Sequence, residues 1–244
     1  MYIKTNGIVL RETQYRDSDK LLMLMTQELG KLTVKARGAK SARSKNKAAC
    51  QLLAYSEFTL SEHQGRYTVT ETVPLEQFAE LRGDLELLAL ASYFAQVTDA
   101  VAQEGDPQPE MLSLLLNALY ALGRLRLPQR TVKAVFELRL ACLAGFLPDL
   151  RGCLACGRED CDRFNVTQGA LQCASCPGDG IRMPVSPAAL AAMRYICSCP
   201  AKRLFAFQAS DEALRQLHDI AEAYLCMRLE RGFSTLDFYK SLFL

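Results

Sequence analysis

Over the first 80 or so residues the chain alternates between apolar and polar positions. Leu32, Val34 and Ala36 fall on one side of a segment whose other side carries Lys31, Thr33, Lys35 and Arg37. This period of two predicts a half-buried strand with a cationic outer face. Ile3–Arg11, Leu21–Thr26, Leu52–Leu60 and Arg66–Val73 are four further strand segments. Glu28-Leu29-Gly30 and His63-Gln64-Gly65 supply turns between neighbours. In the last segment Tyr67, Val69 and Val73 alternate against Thr68, Thr70 and Thr72. Glu71 falls on the apolar side, which places the strand's end near an exposed edge. Five short strands in so little chain predict a small closed barrel, because closure removes exposed edges. The five-stranded OB-fold is the natural candidate, and an SH3-like barrel fits the same pattern.

After Pro74 the period becomes helical. Leu87, Leu90, Phe94, Val97 and Val101 share one face. Gly105-Asp106-Pro107 interrupts, with Asp106 read as an N-cap and Pro107 as the first helical residue. A helix from about Pro109 to Leu125 carries Met111, Leu115, Leu119 and Leu122. Another from Pro128 to about Phe146 carries Val132, Val135, Phe136, Leu140 and Leu143. Further helices start at Ser186-Pro187 and at Ser210-Asp211-Glu212. The latter aligns Leu214, Leu217, Ala221, Tyr224 and Leu225 and ends at Gly232, and the tail TLDFYKSLFL reads as a last short helix. The reading is a multi-domain α+β chain. Residues 1–80 form the barrel, 81–151 and 184–244 a helical domain, and 152–183 a module inserted into that domain.

Cysteine placement defines the insert. Five of the ten cysteines lie between Cys153 and Cys176, in the pattern Cys153-x2-Cys156-x16-Cys173-x2-Cys176. Two CxxC knuckles at this separation place four thiolates around one ion and predict a structural Zn2+ site. Four thiolates fill the coordination shell and leave no position for water or substrate. Cys161 is close enough to take the place of Cys156. Cys197 and Cys199 form a C-x-C at a helix end and read as partly buried thiols. The module has few large apolar residues, so metal binding supplies its missing stability.

Charge changes the picture at one place. From Leu29 to Ser56 there is no acidic residue, but there are seven basic ones: Lys31, Lys35, Arg37, Lys40, Arg43, Lys45 and Lys47. The whole chain has a net charge of only +2, so the remainder is acidic on balance. The segment after Arg37 is rich in Gly, Ser and Asn and reads as a mobile loop. A cationic strand continued by a cationic loop on a small barrel is a platform for nucleic acid, with Tyr15, Tyr55 and Tyr67 available for stacking. Arg124, Arg126, Arg130, Lys133 and Arg139 form a second, weaker basic region.

No catalytic constellation accompanies these features, and the chain is read as a binding protein, not an enzyme. His63 sits in a turn, and His218 beside Asp219 reads as a solvent-facing pair. Asp17 and Asp19 are turn residues without clustered partners. No phosphate-binding GxxxxGK[ST], dinucleotide fingerprint, HExxH or GxSxG occurs. No secretory signal and no apolar run of membrane-spanning length are found, so a soluble cytoplasmic protein is expected. The competing readings are a nuclease and a zinc-bearing protein adaptor that does not touch DNA.

GIVL at 7–10, YRDSDKLLMLMT at 15–26, LGK at 29–31 and ARGAKSARSK at 36–45 resemble the N-terminal domain of bacterial RecO proteins. CxxCG at 153–157 and FNVTQGALQCASC at 164–176 are similar to the zinc module of that family. Asp17 stands where the family usually has Glu, and GALQC replaces a more usual Gly-Gly-apolar run. Some family members lack the cysteines, so zinc is not the activity itself. The resemblance implies an OB-fold, a helical domain and a recombination mediator in DNA repair, associated with the nucleoid. Such proteins bind single- and double-stranded DNA and anneal complementary strands. They act with RecR and RecF to load RecA onto DNA coated by single-strand-binding protein (SSB), through the acidic C-terminal tail of SSB.

Overall fold

Five antiparallel-prone segments with one apolar side each close on themselves because a flat sheet this small leaves its edges unpaired. The computed structural model describes residues Met1 to Phe243, so the final residue of the tail, Leu244, lies outside the described residues. Strands β1 (Tyr2–Tyr15), β2 (Asp19–Thr26), β3 (Gly30–Ala36), β4 (Tyr55–His63) and β5 (Arg66–Glu76) form a closed barrel in the order β1-β2-β3-β5-β4. Neighbours are antiparallel except β3 and β5, which run parallel through Val34–Tyr67 and Lys35–Thr68. This is the OB-fold arrangement, which resolves the choice left open by strand count. Val9, Leu22, Leu24, Leu32, Val34, Phe58, Leu60 and Val69 fill the interior.

Two strands depart from the sequence reading for local reasons. β1 runs four residues past Arg11 because its hairpin partner β2 continues to Asp19. That extension is exposed on both sides, so it carries no hydrophobic alternation to read. The predicted start of β4 at Leu52 is instead a turn, with Leu53 at φ +65°. In β5 the register shifts between the Thr59–Glu71 and Leu60–Val69 pairs. The extra residue inverts the alternation beyond Val69. Glu71 therefore faces solvent, and Val73 does too at 54% exposure.

The chain divides into two compact units, Met1–Arg124 with Phe233–Leu244, and Leu125–Gly232. In the first, the barrel carries helices α1 (Ala79–Arg82), α2 (Leu85–Val101), α3 (Pro109–Gly123) and α7 (Ser234–Ser241). Asp84 caps α2 by accepting from the backbone N–H groups of Glu86 and Leu87. α2 lies on β1, which explains why Gly7–Leu10 is buried at four consecutive positions. Asp106 does not cap α3, which starts later, after Gln108. The Asp106 backbone instead lies against Gly30, where φ is +67° and a side chain would overlap it.

In the second unit, α4 (Gln129–Leu143), α5 (Pro187–Ser198) and α6 (Asp211–Leu229) pack together. Ser186 and Ser210 cap α5 and α6 through their hydroxyl oxygens. α4 is buried on all sides from Val132 to Leu138, a run that includes Lys133 and Glu137. Lys133 Nζ lies 2.8 Å from Glu137 and 2.7 Å from Glu222 of α6. Burial works against the ammonium charge, but the two carboxylates outweigh it and the Lys133 pKa is raised. His218 is not the solvent-facing residue expected. Only 22% of its side chain is exposed, and burial and Lys133 lower its pKa despite a 3.0 Å contact to Asp219. Between α4 and α5 the chain makes a small sheet, β6 (Asp149–Cys153), β7 (Arg163–Asn165), β8 (Ala170–Gln172) and β9 (Arg182–Pro184), in the order β6-β8-β7-β9. No helix among the described residues is long and apolar enough to cross a membrane.

Candidate nucleic-acid interface and metal centre

The seven basic residues of the β3 segment and following loop separate into two groups. Lys31 Nζ donates to the Asp99 carbonyl oxygen at 2.6 Å and lies 3.5 Å from its carboxylate. Only 12% of its side chain is exposed. Lys35 Nζ lies 3.0 Å from Asp19 and 5.1 Å from the centre of the Tyr15 ring. Asp19 also accepts from the Gly38 backbone N–H at 2.9 Å. That bond and Lys35 hold its carboxyl below the usual carboxylate range. Arg37, Lys40, Arg43, Lys45 and Lys47 are all exposed, and among the described residues none has an acidic partner within salt-bridge distance.

The loop that carries these five is wound, not slack. Successive turns are closed by backbone bonds from Ser41 to Gly38, Ser44 to Ser41, Lys47 to Ser44 and Cys50 to Asn46. Ala39, Ala49 and Cys50 are buried. The Lys40 N–H donates to the Ser18 carbonyl, and the Thr72 hydroxyl donates to the Asn46 side chain. Small apolar residues spaced through the Gly/Ser-rich sequence thus fix the loop and turn its long cationic side chains outward. Of the three tyrosines, Tyr15 is exposed, with Arg16 5.4 Å from its ring centre. Tyr55 and Tyr67 are half-buried, and Tyr67 packs on the barrel core.

The second basic region is largely engaged in structure. Arg124 pairs with Glu76 and Glu80. Lys133 belongs to the buried ion pair, and Arg139 donates to the carbonyls of Ile196 and Cys197. Arg126 and Arg130 stand exposed, with no ion-pair partner among the described residues. Asp19, expected as a turn residue without partners, instead opens β2 and pairs with Lys35, and Asp99 pairs with Lys31. Asp99 is 68 positions from Lys31, a separation at which sequence offers no pairing signal.

The cysteine module builds its centre from turns. Cys153, Cys156, Cys173 and Cys176 have their Sγ atoms within 4.8 Å of one another. The Cys156–Cys173 distance is 3.8 Å. A tetrahedron with metal–sulfur bonds of about 2.3 Å has sulfur–sulfur edges of about 3.8 Å, so the donor set fits one ion. Backbone N–H groups of Cys173, Cys156 and Ala155 point at Cys153 Sγ and draw its thiol down to about 6. This favours the thiolate that a metal requires. Cys161 lies outside the cluster, and its thiol donates to the Arg158 carbonyl at 3.2 Å. The module leans on α6. Phe164 meets the Tyr224 ring edge-on at 5.4 Å, and Arg228 donates to the Thr167 carbonyl at 3.0 Å. A side chain at Gly169 would collide with Tyr224 and Arg228.

An OB barrel with a cationic loop, helices and a four-cysteine centre able to hold a metal ion defines a class of OB proteins that carry a cysteine-knuckle module. Comparison with known proteins narrows the class. The family model "Recombination protein O N terminal" matches residues 1–78, and "Recombination protein O C terminal" matches residues 82–237. "DNA repair protein RecO" of Acetivibrio thermocellus is 32% identical over 99% of this chain and 97% of its own length. Proteins of the same name from Desulforudis audaxviator and Symbiobacterium thermophilum are 33% and 30% identical, each over at least 97% of this chain and 96% of the relative. The chain belongs to the RecO family of DNA repair proteins.

Proposed function

We propose that this RecO-family protein is a non-enzymatic recombination mediator that binds single- and double-stranded DNA and anneals complementary strands on its barrel. The observation that carries this reading is the set of five exposed cations on one wound loop, with no carboxylate among the described residues within salt-bridge distance of them. Annealing requires no bond-making group. A fixed cationic surface lowers the repulsion between two phosphate backbones and raises their local concentration. Tyr15, flanked by Arg16 and Lys35, offers a face for an unstacked base.

Zinc is the ion proposed for the four cysteines, because four thiolates in a tetrahedron are its structural environment. Its role is to hold β6–β9 together. Interaction with RecR, RecF and the SSB tail during RecA loading belongs to the same proposal and draws its support from family membership. The deciding experiment is annealing of fluorescently labelled complementary strands by a variant with Arg37, Lys40, Arg43, Lys45 and Lys47 changed to Glu. Loss of annealing by a folded variant is expected, and unchanged annealing would overturn the assignment. Lys35 is left in place because its loss would strand Asp19 and confuse folding with binding.

A further inference from the structure

Outside the metal centre, two thiols stand apart from the rest. Cys142 near the end of α4 and Cys197 in the last turn of α5 have their sulfurs 3.6 Å apart. Each is partly accessible. Cys197 lines an open cleft of about 620 Å³ with Leu147, Leu150, Arg194 and Ser198. A small oxidant can therefore reach Cys197 through the cleft, and Cys142 beside it is itself only partly covered. By contrast, Cys50, Cys161 and Cys199 are buried. Within the pair, the bond to Cys142 and burial raise the Cys197 pKa. The Arg139 guanidinium donates to the Ile196 and Cys197 carbonyls and fixes the end of α5 beside α4. The bond shared with Cys197, and to a lesser extent the Arg139 charge, lower the Cys142 pKa against the effect of burial.

We propose that Cys142 and Cys197 form a modification site, a dithiol that hydrogen peroxide converts to an internal disulfide. Bond formation asks the sulfurs to close from 3.6 Å to about 2.05 Å. The Cys142 thiolate attacks one peroxide oxygen, the O–O bond breaks, and hydroxide leaves to give a sulfenic acid. The Cys197 sulfur then attacks Cys142 Sγ, the S–O bond breaks, and a second hydroxide takes up the remaining proton. Two thiols and one peroxide yield one disulfide and two waters, and a dithiol reductant reverses the change.

The position of the pair gives the modification a consequence. All of β6–β9 and the four clustered cysteines lie in the chain between Cys142 and Cys197. The disulfide closes a covalent loop around the metal module and anchors both of its ends. Loop closure restricts the unfolded chain most where the loop is long. The oxidised protein therefore holds its second unit together under the conditions that threaten the metal thiolates.

The test treats the full-length, zinc-supplemented protein with a few equivalents of hydrogen peroxide, blocks free thiols with N-ethylmaleimide and maps the peptides by mass. A cross-linked peptide joining Cys142 to Cys197, abolished by dithiothreitol, is expected before any oxidation at 153–176. The oxidised protein should melt about 5 °C or more above the reduced one. C197S should lose both the cross-link and the shift. Cross-links that form first within 153–176, or Cys142 and Cys197 both recovered alkylated, would overturn the proposal. So would separate sulfinic acids at the two positions. Mapping the unmodified chain decides the question even where C197S fails to fold, and it reads the pair separately from the metal centre and from DNA binding.

Discussion

Removing the five loop cations one at a time converts the geometry into a slope. Each phosphate neutralised on duplex DNA contributes about −0.9 to the dependence of log affinity on log salt, and about −0.7 on a single strand. If all five unpaired cations meet phosphates, the slopes are about −4.5 and −3.5. Between 50 and 200 mM salt the duplex affinity then falls about 500-fold. Arg37→Ala, Lys40→Ala, Arg43→Ala, Lys45→Ala and Lys47→Ala should each flatten the duplex slope by about 0.9. Lys31→Met removes the same formal charge from the same sequence segment. Its ammonium is already bonded to Asp99, so it should leave the slope nearly unchanged and lower the melting temperature instead. Fluorescence anisotropy titrations at four salt concentrations provide the slopes. Equal slope changes for Lys31→Met and Lys45→Ala would refute the division into engaged and free cations.

Other perturbations test other parts of the structure. If zinc fills the four-cysteine centre as proposed, chelation or Cys173→Ser should abolish the stoichiometric metal read by elemental analysis and unfold β6–β9, whereas Cys161→Ser should keep full occupancy. Lys133→Met leaves Glu137, which is fully buried, without its cation. It should cost about 3–5 kcal/mol in urea unfolding, and Lys133→Met with Glu137→Gln should recover much of that. Tyr15→Ala should weaken single-strand binding by about 1–3 kcal/mol, the range for one stacked base, with less effect on duplex. Asp19 has a lower pKa folded than unfolded, so its stabilising contribution is present above its ordinary value of 3.8 and is lost as pH falls through the lowered one. Asp19→Asn should remove that part of the acid sensitivity of thermal melting.

The barrel was legible because its strands have one wet side and one dry side, and the alternation in Lys31–Arg37 records this directly. Legibility failed where burial was not one-sided. The end of β1 has no buried face, α4 has no exposed one around Lys133, and the β5 bulge reverses the pattern at Val73. The three-residue strands β7, β8 and β9 are too short to show a period. Their positions depend on the cysteine turns and on Tyr224 and Arg228 of α6. The four clustered thiols could be read from spacing because a knuckle is a local structure. Which lysines remain free could not, since Asp99 and Asp19 reach their partners only through the tertiary fold.

Asp99 bonds Arg11 at 3.0 Å as well as holding Lys31, so one carboxylate on α2 takes two cations out of circulation. The barrel's capacity for a polyanion is thus a remainder left after internal neutralisation. Under the proposed annealing function, turnover slows if the product duplex stays attached. Each charge that α2 neutralises through Asp99 is then one phosphate contact fewer to break when a duplex leaves.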